Sequence, residues 1–231
     1  MTNKKIEYVN TFYNKFGWSK KKGNTLDATL FEDLRSCAKK YVSKCRLRLN
    51  KFIPKKGKNI LDFASGPIQY REYLDYSKNF KIRHCVDFSK LAINSAKNKL
   101  GKRGKYYCND FFKIKFKKNY FDCILSLHTI YHIDKNLQSN AINKLLYISK
   151  KKTKNDLYFF CHPIDWWERF NKDAKISIKP WRSFSSDHQK ILFPDNYLGK
   201  KLFNFLFILE DKFEKFFVNH FQYYVVILKK K

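Results

Sequence analysis

Glycine and proline are scarce in this chain, 7 and 5 among 231 residues. So few turn formers exclude collagen-like and low-complexity architectures and favour packed elements over long loops. Arginine is scarce too, at eight of the 49 basic residues. Against 20 acids the formal net charge is +29, which invites a nucleic-acid reading. Yet arginine, not lysine, clamps phosphate bidentately and reads base edges. A solvated lysine coat, arising with the Asn, Ile, Phe and Tyr excess of A/T-rich codons, is the simpler reading. A nucleic-acid partner is the less favoured one. No two of the six cysteines stand at C-x-x-C spacing. A zinc site or disulfide framework is therefore not expected, no metal is assigned, and the cysteines read as small core residues in a reducing cytosol. The longest apolar run, Phe205 to Leu209, is far too short to span a bilayer, and the first residues lack the apolar segment of a secretion signal. A cytoplasmic protein without a membrane span is the expectation. Nothing in the pattern specifies an oligomeric state.

Hydrophobic residues make up 44% of the chain and aromatics 18%, enough for an ordinary core. Leu30, Leu34, Ala38, Tyr41, Cys45 and Leu49 recur at three- and four-residue steps, predicting one helix that Pro54 ends. Thr29 and Glu32 resemble a capping box near its start. Beyond Gly57 the period changes. Asn59–Phe63, Lys81–Val86, Lys105–Cys108, Phe121–Leu127 and Leu157–Cys161 read as strands, with helices between them. Ser89 caps the second of these helices and Gly101 follows its end. A further helix over about 202–217 and a last strand over 223–228 complete the order. Alternation of this kind predicts an α/β fold: a doubly wound, mostly parallel, seven-stranded-type sheet with helices on both faces and an antiparallel last strand. The expected organisation is a helical cap or lid over residues 1–56 and a Rossmann-like domain over 57–231, with a substrate-pocket insertion at about 162–198.

In such a sheet the ligand lies beyond the carboxyl ends of the strands, where the strand order reverses. The bend Asp62-Phe63-Ala64-Ser65-Gly66-Pro67 follows the first strand, and Asp87 ends the second, 21 positions after Gly66. That is the spacing of an acid that binds ribose hydroxyls. A three-glycine fingerprint would need glycine at Ala64 and Ile68 as well, and a dinucleotide needs the further glycines for contact and packing, so a nicotinamide-dependent oxidoreductase is disfavoured.

Four segments taken in order resemble the class I, Rossmann-like S-adenosylmethionine-dependent methyltransferases. Ile60 to Pro67 is similar to the family's first motif, and Val86-Asp87-Phe88-Ser89 to its acidic ribose motif. Asn109-Asp110-Phe111 is similar to its adenine motif, and Phe121 to His128, followed by Tyr131-His132, to its fourth-strand motif. The Gly-Pro-Ile stretch, where Gly-x-Gly is usual, is a departure. The resemblance implies S-adenosylmethionine as cofactor. Asp62, Ala64, Ser65 and Gly66 would line its methionine part. Asp87 would take the ribose hydroxyls, Phe88 and Phe111 would flank adenine, and Asp110 would accept from the adenine amino group. Leu127 and His128 would lie below the sulfonium.

His132 and His128 are candidate bases for an acceptor proton, with His162 behind them. Tyr131, His162, Trp166 and Trp167 are expected to wall the acceptor pocket, with Trp181 nearby. Tyr13, Phe16 and Trp18 are expected to close over the cofactor. The function expected is methyl transfer to a small-molecule or glycan acceptor, on oxygen or nitrogen. An RNA methyltransferase and a catalytically silent ligand-binding relative are the alternatives.

Overall fold

The computed structural model describes residues 11–21, 23–151, 156–159, 163–221 and 223–231. Seven strands form one sheet: β1 Gly57–Phe63, β2 Phe80–Asp87, β3 Gly104–Cys108, β4 Cys123–Ser126, β5 Asp156–Phe159, β6 Ala174–Pro180 and β7 Tyr224–Lys230. Their order is β3-β2-β1-β4-β5-β7-β6. The first five pair in parallel, and β7 runs antiparallel to both of its neighbours. The order reverses between β1 and β4, so the two crossovers leave a crevice at the carboxyl ends of those strands.

Period-two alternation assigns the side chains to two cores. Ile60, Cys123, Leu125, Val225 and Ile227 point to one face, covered by α2 (Ser36–Arg48) and α8 (Tyr197–Lys212). Leu61, Phe63, Ile124, Val226 and Leu228 point to the other, covered by α5 (Lys135–Ile148). On the outer strands Cys85 packs against Ile93 and Ala96 of α4 (Lys90–Leu100). That helix starts on Ser89, whose hydroxyl accepts from the Ala92 amide, and ends on Gly101 at φ +53°.

Three expectations are corrected. The helix predicted as continuous from about Leu30 is two: α1 (Leu26–Phe31), capped by Thr25, and α2. Between them the buried Asp33 carboxylate accepts from the Arg35 amide and guanidinium and draws the chain out of helical geometry. Arg35 in turn donates to the carbonyls of Gln189 and Phe193, fastening this turn to α7 (Ser186–Leu192). Second, the stretch read as an irregular insertion contains β6 at the sheet edge. Third, the helix expected over 202–217 is α8 followed by α9 (Glu214–His220), which adjoin at Phe213. The carboxyl end of the predicted fifth strand, with Cys161, lies outside the described residues.

One polar group lies inside the first core. Glu210 of α8 is fully buried and accepts from Tyr41 Oη (2.6 Å), from the amide and hydroxyl of Ser183 (2.8 and 2.6 Å), and from Arg48 of α2 (3.0 Å). Burial and the neighbouring Cys45 and Glu210 raise the Tyr41 hydroxyl well above its ordinary value, so it stays a donor. Removing one member of such a cluster leaves a charge without compensation. Glu210→Ala is expected to lower unfolding free energy by about 3–5 kcal/mol in urea titration.

Candidate active site

A cavity of about 510 Å³ opens at the crevice and is bordered by the carboxyl ends of β1 to β4. That volume is in the range of small-molecule and cofactor sites. The bend after β1 forms its floor. Ala64, Gly66 and Ile68 adopt left-handed backbone, at φ +54°, +55° and +50°. Glycine is at ease there, while Ala and Ile each carry about 1–2 kcal/mol of strain. These are the two positions that lack the fingerprint glycines. Ile68 tolerates the conformation because its side chain is buried beside Cys85 and Ile93.

Asp87 closes the bend. Its Oδ2 accepts from the Gly66 amide at 2.9 Å, and its Oδ1 accepts from the Ser89 amide at 2.8 Å. Burial raises its carboxyl from the ordinary value to about 6, against the lowering effect of these amides. The carboxylate keeps lone pairs beyond the two it uses, and it lies on the cavity wall. Phe88 beside it is partly exposed and also lines the cavity.

Asp62 lies near the carboxyl end of β1, in register with Cys85 of β2. Its carboxylate is held by the buried Arg83 guanidinium of β2, which also reaches the Tyr73 carbonyl and Ser77 Oγ. Both Asp62 and Arg83 line the cavity. Arg83 was missed in sequence, although a charged residue within an apolar parallel strand was its signal.

After β3, Asn109, Asp110 and Phe111 reach the cavity. Asp110 caps a short turn by accepting from the Phe112 amide, and Phe111 packs on Phe63 with centroids 4.3 Å apart. After β4, Leu127, His128, Tyr131 and His132 line the opposite wall. His128 is also left-handed, at φ +54°, and its ring lies 5.0 Å from that of Trp181. Burial, then Arg182, His132 and Arg46, push its imidazole down to about 3.

The acceptor wall differs from expectation. Trp167 is fully buried and packs with Phe170 and Ala174 on the α5 face, and Trp166 lies against Phe170 and under Arg169. Neither Trp166 nor Trp167, both on α6 (Ile164–Glu168), lines the cavity. Trp181 is buried behind His128 and donates to the Cys45 carbonyl. His162 lies outside the described residues.

Tyr70, Tyr73, Arg182 and Tyr223 stand on the wall instead, with Glu32 at its edge. Arg182 and Arg46 share the Glu32 carboxylate, at 3.2 and 3.5 Å, and the Arg46 guanidinium lies 3.3 Å above the Tyr70 ring. Tyr70 Oη, Arg182 Nε and Ser186 Oγ are buried there with no hydrogen-bond partner among the described residues. Over the bend lies Trp18, within 3.2 Å of where a Gly66 Cβ would stand, with its ring stacked on Tyr13 at 4.8 Å. Phe16 is exposed and is not part of the lining.

A family model described as a methyltransferase domain matches residues 61–151, the segment from β1 through α5 that carries the bend, Asp87 and the β4 loop. Over that segment the chain is similar to the methyltransferase domain family. Solved structures share this methyltransferase fold at low identity. Magnesium protoporphyrin IX methyltransferase from Synechocystis PCC 6803 is 11% identical, with a TM-score of 0.60 over 98% of this chain and 97% of that one. The N-methyltransferase NodS from Bradyrhizobium japonicum WM9 is 11% identical, with a TM-score of 0.55 over 90% and 92%. The [4+2]-cyclase SpnF is 14% identical, with a TM-score of 0.55 over 82% and 80%, so the methyltransferase fold by itself does not fix the reaction. No curated protein matches the sequence.

Relief of strain in the bend is measurable. Ala64→Gly is expected to raise unfolding free energy by about 1 kcal/mol in ligand-free protein, because the left-handed penalty outweighs the added chain entropy. Ile68→Gly is expected to lower it, since the lost burial exceeds the strain released.

Proposed function

We propose that the protein transfers the methyl group of S-adenosylmethionine to a small-molecule or glycan acceptor. The observation that carries this reading is the Gly66–Asp87 contact at the switch point. It presents a carboxylate with free lone pairs at the ribose position, on the rim of a cavity of suitable size. The residues present fit the cofactor in chemistry. Asp62 and Arg83 offer a carboxylate and a guanidinium to a zwitterionic amino-acid tail. Asp87 accepts from ribose hydroxyls, Asp110 accepts from an exocyclic amine, and Phe88 and Phe111 flank a purine. Ala64, Ser65, Gly66 and Asn109 supply backbone and small-residue contacts, and Leu127 and His128 form the wall beneath. When bound, S-adenosylmethionine supplies a methyl group already activated by the sulfonium charge.

The remaining work of the chain is alignment, exclusion of water and proton transfer. Trp18 and Tyr13 roof the bend and keep water out, the part assigned to the amino-terminal lid. A hydroxyl or ammonium acceptor must lose a proton, and a His132 ring nitrogen takes it. His128 is the poorer base, because an imidazole pushed down to about 3 holds a proton too weakly at neutral pH. It serves better as a neutral wall. Tyr70, Tyr73 and Tyr223 give the acceptor an aromatic surface. Arg182, with the Tyr70 and Ser186 hydroxyls that have no partner among the described residues, gives it donors, which suits an acceptor rich in oxygen. No lysine lines the cavity among the described residues, which favours a small acceptor over RNA.

Calorimetry with S-adenosylmethionine tests the binding, and release of S-adenosylhomocysteine with a panel of acceptors tests the turnover. Asp87→Asn is expected to weaken cofactor binding by about 1–3 kcal/mol. In the wild type the affinity is expected to fall as pH drops through about 6, where Asp87 gains its proton, and the variant is expected to lose that dependence. His132→Ala is expected to cut turnover about 100-fold or more with cofactor affinity nearly intact. Wild-type turnover in that variant removes the base.

A further inference from the structure

The outward face of α8 carries Tyr197, Leu198, Leu202, Phe205 and Ile208, all exposed, while Phe203, Leu206 and Glu210 occupy the core face. Phe205 and Ile208 are each 59% exposed and lie one turn apart, so this is a continuous apolar ridge rather than scattered residues. It continues at both ends. Before it, Ile191 of α7 is 80% exposed, with Leu192 beside it. After it, Phe213 and Phe216 are exposed.

The ridge also approaches the cavity. Arg35 ties the α1–α2 turn to the end of α7, and Leu30 and Phe31 at the end of α1 and Leu34 in the turn are exposed. Leu30, Phe31 and the first turn of α7 line the cavity. One apolar band thus runs from the mouth of the site along α7 and α8.

Charge selects what covers it. Lys190, Lys200, Lys201, Lys212 and Lys215 are exposed on the same three helices. The nearby acids are mostly committed: Asp211 to Arg48 and Lys51, Glu214 to Lys179, and Asp187 to Lys190, leaving Asp195. A second copy brings the same lysines and the same +29 charge, so self-association across this face is opposed. Nucleic acid answers the lysines but not the apolar ridge. An anionic lipid surface answers both, with acyl chains for the ridge and headgroup phosphates for the lysines. Among the described residues no helix is long and apolar enough to cross a membrane, which leaves attachment in the interfacial plane.

We propose that the α7–α8 face docks the protein peripherally on an anionic bilayer, with the mouth of the cavity turned towards the lipid. This inference does not depend on methyl transfer and is tested without it. The full-length chain is sedimented with vesicles of phosphatidylglycerol mixed with phosphatidylcholine, and with vesicles of phosphatidylcholine alone. Wild type is expected to bind the anionic vesicles about tenfold or more tightly than the neutral ones, with binding weakened by salt. Phe205→Asp/Ile208→Asp is expected to lose about tenfold or more of that binding. Both positions are exposed, so the thermal unfolding midpoint is expected to stay near that of wild type, and circular dichroism checks this. Retained vesicle binding in the double variant overturns the proposal, as does failure of wild type to bind either vesicle. A wild-type dimer that the same variant splits in size-exclusion light scattering assigns the face to a second copy and overturns it too. So does RNA binding lost in the variant while vesicle binding is kept.

Discussion

The hydrogen bond from the Gly66 amide to the Asp87 carboxylate joins the ends of the parallel strands β1 and β2, beside the point between β1 and β4 where the strand order reverses. Parallel strands leave their carboxyl-end amides and carbonyls facing the same crevice, and some partner must satisfy them. Here a side chain from β2 does this for the bend after β1. The contact fixes the floor of the cavity, and burial of the same carboxyl raises it to about 6. The ordered bend and the raised carboxyl thus go together at one buried contact. Left-handed Ala64 and Ile68 persist because this contact and the packing of Ile68 over-determine the turn.

Much of the fold was legible because parallel strands buried on both faces read as apolar runs, and the helices between them carry clear stripes and caps. Ser89 and Gly101 marked the ends of α4 directly. The β6 strand was also legible and was overlooked. Ala174, Ile176 and Ile178 alternate with Lys175, Ser177 and Lys179, a period-two pattern half hidden by its lysines. The break between α1 and α2 was not legible from periodicity. The apolar spacing passes through Asp33 undisturbed, while the turn is made by the Asp33–Arg35 contact and fastened by the tertiary bonds of Arg35 to the end of α7.

The cofactor half of the candidate site lies in four loops that follow strands, so order and spacing brought its residues to one rim. The half proposed to take the acceptor is built differently. Tyr70 and Tyr73 come from the β1–β2 crossover, Arg182 from the residues after β6, and Glu32 from the end of α1. They converge through tertiary packing with no shared motif. The tryptophans at 166 and 167 were drawn to the pocket by composition alone. Being large and apolar, they serve as well in the core, and Trp167 is found there.

Trp18 rests directly on the bend, so the roof of the cavity touches its floor. The indole is itself backed by Tyr13, stacked on it at 4.8 Å. A larger side chain at Gly66 would therefore press on the indole as well as strain the left-handed turn, so a single position couples roof and floor.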